Sequence, residues 1–114
     1  MPAGMAPVLH AGRFVFRTLA EGEAVPAGAV GWFREAEGVS VIVPAEAGAA
    51  LAMAWITLSV HSALDGVGLT AAVSGALADA GIACNMMAAH IHDHLFVLEA
   101  DAARAIMVLG RFRR

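Results

Sequence analysis

The sequence predicts an α+β domain in which an antiparallel sheet carries helices on one face, preceded by a smaller β-hairpin unit. Three observations lead there. Leu69, Val73, Ala76, Leu77 and Ala80 recur at helical spacing, with Thr70, Ser74 and Asp79 elsewhere on the wheel. That segment lies between two β-like runs, Trp55 to Val60 and Ile82 to Ala89. Upstream, Ala29 to Glu35 and Val39 to Val43 are joined by Glu35-Ala36-Glu37-Gly38, which supplies a glycine where a turn wants positive φ.

In chain order, residues 1–11 are rich in Ala, Pro and Gly and are expected to be loose. Arg13 to Leu19 alternates as a strand does, and Glu21 to Gly28 holds two glycines and Pro26 and reads as a loop. Pro44 suits the first turn of a helix, so the Ala-rich stretch Ala45 to Met53 is expected to be a short one, with Glu46 near its positive end. Ala54 to His61 is a strand with apolar residues on both faces, as a central strand has. The helix from Leu69 stops at Gly81. Ile82 to Ala89 and His94 to Leu98 are strands joined tightly through His90 to Asp93. Glu99 to Leu109 is a helix, with acids at its start and Ala102, Ile106 and Leu109 on one face.

The second part of the chain is thus β-α-β-β-α, the ferredoxin-like order. A complete unit has one more strand, and an uncovered sheet edge invites pairing. The N-terminal strand Arg13 to Leu19, or a partner chain, is expected to fill that edge.

A chain of 114 residues, 60% hydrophobic and 15% charged, fits one compact domain over residues 1–114 and excludes intrinsic disorder. The longest apolar stretch, Val39 to Val60, is broken by Pro44 and Glu46, so no membrane span is expected. Met1 to Gly12 lacks the basic region and apolar core of a secretory signal. The formal net charge is -3, and all seven basic residues are arginines, three of them at the C-terminal end, Arg111, Arg113 and Arg114. Nucleic-acid binding, which needs a basic face, is not expected. The one cysteine, Cys84, cannot form an internal disulfide, which points to the cytoplasm and to a small buried hydrophobe.

Three segments carry a family resemblance: Phe33-Arg34-Glu35-Ala36-Glu37-Gly38, then Val60-His61-Ser62 with Val67-Gly68-Leu69-Thr70, then His92-Asp93-His94. With them goes the run Leu77-Ala78-Asp79-Ala80-Gly81-Ile82-Ala83-Cys84-Asn85. Trp55 to Leu109 resembles an ACT domain, similar to the regulatory domains of aspartokinases. The stretch 13–109 resembles small stand-alone ACT proteins built from two tandem ACT-like halves. The resemblance implies a reduced half over residues 12–53 and a second half over 54–110. It departs from a standard unit in lacking a clear last strand and a first-half strand-to-helix loop.

The resemblance further implies a regulatory, allosteric, homodimeric protein that binds a small molecule, an amino acid above all, at a subunit or half-domain interface. The contacts it assigns are Ser62, Leu64, Asp65, Gly66, Val67, Gly68 and Leu69 in the loop, with Asn85 on the following strand. Chemistry agrees: the glycines permit close backbone approach and a helix N-terminus favours a carboxylate. Asp65 can accept from an ammonium group, and Asn85 can donate and accept. No cofactor and no catalysis are expected.

Four other readings fit parts of the sequence. Gly66-Val67-Gly68-Leu69-Thr70-Ala71 matches the dinucleotide fingerprint G-x-G-x-x-A, but the glycines stand too far from the strand and the chain lacks the parallel βαβ context. His90, His92 and His94, joined by His61, have a spacing that could hold a metal on one strand face. Ser62, His61 and Asp93 have the composition of a catalytic triad, yet adjacent Ser and His on a strand point apart. The fourth is an interaction module with no ligand.

Overall fold

The structure, a computed structural model, describes residues 6–58 and 68–112. Their strands are β1 Pro7–Leu9, β2 Phe14–Thr18, β3 Gly31–Glu35, β4 Gly38–Pro44, β5 Met53–Leu58, β6 Cys84–Ala88 and β7 Asp93–Leu98. The helices are α1 Leu69–Asp79 and α2 Ala102–Leu109, the latter flanked by single 3-10 turns, Glu99–Asp101 and Gly110–Phe112.

All seven strands join one antiparallel sheet in the order β3-β4-β2-β5-β7-β6, with β1 also on β5. The second half has the expected ferredoxin-like arrangement, β6 and β5 flanking β7. The edge that a missing last strand would leave open on β5 is filled by the N-terminus. Leu9 sits opposite Ile56 and Pro7 opposite Leu58, and Phe14 of β2 pairs with Met53 at the other end of β5. The rest of β2 turns away and pairs with β4, Thr18 opposite Ser40. Gly12, at φ +103, makes the bend between the two pieces. Residues 7–9, expected to be loose, are therefore a strand: three residues are too few to show alternation, and the pairing comes from β5.

The hairpin β3–β4 forms as expected, Glu35 opposite Gly38 across Ala36-Glu37. The expected helix at Ala45 to Met53 does not form. Residues 45–52 are turns, and Met53 already belongs to β5. Leu51 takes φ 56, outside the right-handed helical range, and Gly48 takes φ 79. So short a segment has little helix stability alone, and Arg13 binds the carbonyls of Glu46 and Ala49 at 3.4 and 3.3 Å, holding the turns.

The sheet has two different faces. Ala54, Ile56 and Leu58 of β5 and Leu95 and Val97 of β7 pack against Val73 and Leu77 of α1 and Ala105, Val108 and Leu109 of α2. Each of the Val, Leu and Ile side chains contributes on the order of 1.5–3 kcal/mol by leaving water. The buried stripe of α2 is thus centred on Ala105, Val108 and Leu109; Ala102 and Ile106 flank it. On the opposite face, Phe14, Ile42 and Phe96 form a second cluster with Val30, Met53, Trp55 and Met87 around it. This cluster draws residues from both ends of the strand order, so the sheet curls over its helix-free face.

Candidate ligand cavity inside the curled sheet

Alternation along β5 and β7 sets the inner face. With Ile56 and Leu58 turned to the helices, Trp55 and Thr57 turn inward; with Leu95 and Val97 on the helices, His94 and Phe96 turn inward. Trp55 is opposite Phe96 and Thr57 opposite His94. The curl shapes a partly open cavity of about 200 Å³ over them. Val30, Gly31, Trp32 and Ile42 form the wall from β3 and β4; Trp55, Met87, Ala89, His94 and Phe96 form the wall from β5 to β7. Residues from the two outer strands, β3 and β6, thus line one space.

The walls are aromatic and internally braced. Trp55 stacks near-parallel on Phe96 with centroids 6.2 Å apart, and Phe14 meets Trp55 edge-on at 5.6 Å. The indole Nε1 of Trp55 donates to Nδ1 of His94 at 3.1 Å. Oγ1 of Thr57 lies 2.9 Å from the same Nδ1 and 2.7 Å from Nε2 of His10. Burial pushes His94 below the ordinary imidazole range, helped by the charges His10 and His92 would carry and opposed by Asp93. Burial lowers His10 as well. Both rings are thereby held toward the neutral form.

The residues named from the sequence are placed unevenly. Ser62, Leu64, Asp65, Gly66 and Val67, with His61, lie outside the described residues. Gly68 precedes α1 with φ 104, and Leu69 is the helix's first residue. Asn85 is exposed on β6, its Nδ2 donating to Sδ of Met53 at 3.7 Å. It faces away from the α1 side, where its neighbours Cys84 and Met86 pack. Gly68 and Asn85 therefore stand on opposite sides of the sheet in one chain. Asn85 borders two open depressions beside Phe16, one with Met53 and one with Trp32. His90 is exposed and His92 half-buried in the β6–β7 connection, outside the strands that carry His94. Among the described residues no group of three or more His, Cys, Asp or Glu could hold a metal ion.

Trp55, Phe96, Thr57, His10 and Trp32 were not singled out from the sequence as site residues. The available signal was that β5 and β7 place large side chains on both faces: Trp55 and Phe96 sit in phase with Thr57 and His94, away from the helix-facing set. Nothing local indicated that the sheet would close over them.

Comparison with known proteins adds the family. Residues 52–111 match a profile for an ACT domain, and residues 1–57 match a second ACT domain profile. No curated protein matches. A solved structure from Vibrio cholerae, of a protein of unknown function described as a possible transport protein, is 38% identical, covers 96% of this chain and 89% of its own, and superposes with a TM-score of 0.82. A protein from Agrobacterium tumefaciens, 19% identical over 95% of this chain and 88% of its own with a TM-score of 0.72, shares the fold. No helix among the described residues is long and apolar enough to cross a membrane. ACT domains are regulatory ligand-binding domains, and over the greater part of its length this chain belongs to the ACT domain family.

Proposed function

We propose that this protein is a cytoplasmic, non-catalytic sensor that binds a small metabolite, an amino acid first of all, between its two ACT-like halves, residues 12–53 and 54–110. The observation that carries this reading is the cavity of about 200 Å³ with one wall from β3 and β4 and the other from β5, β6 and β7. Ligand pockets are concave, mostly apolar and equipped with few polar groups, and this one has that character. The lone cysteine supports a reducing compartment.

The ammonium and carboxylate of an amino acid belong outside so apolar a space. We assign them to the segment Ser62, Leu64, Asp65, Gly66, Val67, Gly68 and Leu69 and, across a homodimer, to Asn85 of the partner subunit. In support, Leu58, the last described residue before that segment, is in register with Asp93 and Ala88, at the end of the sheet where Ala89 lines the cavity. Binding there would bias the packing of one half on the other, limited by the ligand's differential affinity for the two packings.

A thermal-shift screen of the twenty amino acids tests the proposal. A ligand at a hundred times its dissociation constant adds about 2.7 kcal/mol. One or a few amino acids should raise the melting temperature, and Gly68→Trp or Asn85→Ala should weaken them. Normal binding by both variants removes the assigned polar contacts; a flat screen removes the sensor. Sedimentation with and without ligand tests the homodimer.

A further inference from the structure

Resting on the sensor reading, we infer that the cavity takes an aromatic ring bearing a hydrogen-bond acceptor, the phenol of tyrosine being the fitting class, rather than an aliphatic or indole side chain.

Proton positions around Trp55 carry this. An indole N–H can only donate. Since Nε1 of Trp55 reaches Nδ1 of His94 at 3.1 Å, that nitrogen is the acceptor. The hydroxyl of Thr57, 2.9 Å from the same nitrogen, must then spend its one proton there. His10 can therefore only donate from Nε2 to Thr57 Oγ1, at 2.7 Å. The donor-only indole sets the direction of the whole chain of hydrogen bonds. It also leaves the single proton of neutral His94 on Nε2, which has no hydrogen-bond partner among the described residues. The lining side chains then offer the cavity donors: His94 Nε2–H and the indole of Trp32, the N–H of Trp55 being already engaged. A ligand group that can accept, as a phenol oxygen can, is matched; one that can only donate, such as an indole N–H, is not.

Size and wall chemistry select the ring. An apolar cavity of about 150 Å³ holds benzene, and this one is about 200 Å³. Trp55 and Phe96 lie near-parallel at 15°; His10 covers one face of Trp55, and the other face of the indole and the Phe96 ring are what a third ring would stack on.

The test is calorimetric and thermal-shift titration of the full chain with L-tyrosine, L-phenylalanine, L-tryptophan, L-leucine and L-serine. It is run on the wild type, on His94→Phe and on Ala89→Trp, which fills the cavity from an exposed wall position. Tyrosine should bind tightest, about fivefold over phenylalanine, the worth of one net hydrogen bond. His94→Phe should abolish that preference, and Ala89→Trp should abolish binding of both. Equal affinity for tyrosine and phenylalanine would overturn the donor argument. A preference for serine or leucine, untouched by Ala89→Trp, would overturn the cavity assignment while leaving the sensor standing. No binding by any of these or of the remaining amino acids would remove both. Nitrogen-15 NMR of labelled histidine checks the tautomer separately: His94 should show an unprotonated Nδ1, and a protonated one would also overturn the inference.

Discussion

The imidazole of His10 lies flat on the indole of Trp55, with ring centroids 3.6 Å apart and planes 15° from parallel. The backbone N–H of His10 donates to the carbonyl of Trp55 at 3.0 Å, so one residue clamps β1 to β5 through ring and backbone together. His10→Ala loses the stack and leaves Thr57 without one partner. Stacking of this kind and a hydrogen bond are each worth about 1 kcal/mol. Chemical denaturation should show a loss of about 1–2 kcal/mol, and an unchanged midpoint would mean that β1 is held by other contacts.

Mild acid should weaken the fold through two histidines. His10 and His94 both have folded-state affinities for protons below the ordinary value of 6.5. The unfolded chain then binds more protons than the folded one between the two values, so stability rises with pH in that window. The contribution is complete above about pH 6.5 and is lost as pH falls toward the lowered folded values. For His94, protonation at Nδ1 would also set its new N–H against that of Trp55. Melting temperature followed from pH 7.5 to 5 should fall in the wild type and fall less in His94→Gln. At lower pH a separate surface pair comes in: Arg17 above all, with the N–H of Ala20, holds Glu23 at about 2.

Gly38 should not tolerate a side chain. It has φ +145, and an added Cβ would come 3.2 Å from Cγ2 of Thr18. Unfavourable backbone and close contact together predict a cost on the order of 1–3 kcal/mol for Gly38→Ala. Urea denaturation measures it, and stabilisation instead would show that the β3–β4 turn relaxes freely.

The helix face should carry much of the stability. Leu77 is fully buried between α1 and the sheet. Leu77→Ala is expected to cost about 2–5 kcal/mol by denaturant titration. The cavity walls lie across the sheet, so any ligand affinity measured below the new melting point should change far less than stability does.

Cys84 should be a slow thiol. It is half-buried against the helix side of β6, and burial raises its pKa above the ordinary value of 9.0. Little thiolate exists at pH 7.5, so labelling by a disulfide reagent should be slow in native buffer and fast in urea. Equal rates in both would place the sulfur in the open.

Periodicity made the two-layer half of the molecule legible. Val73 and Leu77 were readable as a helix face because a straight 3.6 repeat survives in sequence, and the Glu35 to Gly38 turn was readable because its glycine does a local job. The turns at 45–52 were misread because Ala-rich composition favours a helix, while the φ of Leu51 and the reach of Arg13 to Glu46 and Ala49 are imposed from a distance. The cavity was unreadable for a related reason. Trp32 and Met87 are 55 residues apart and on outer strands, and only the curl of the sheet brings them to one space. His94 drew notice for its spacing from His90 and His92, whereas its partners in the fold are Trp55 and Thr57.

The bend at Gly12 has a consequence for how the chain could be divided. The piece before it borders β5 and the piece after it borders β4, so the first fragment of a chain cut within 45–52 would carry the donor strand that the second fragment needs. Two such fragments, expressed apart, should each be poorly folded and should complement one another on mixing. Two ACT profiles divide the chain, yet hydrogen bonding makes it one unit, and a graft of either stretch into another protein would have to bring its own edge with it.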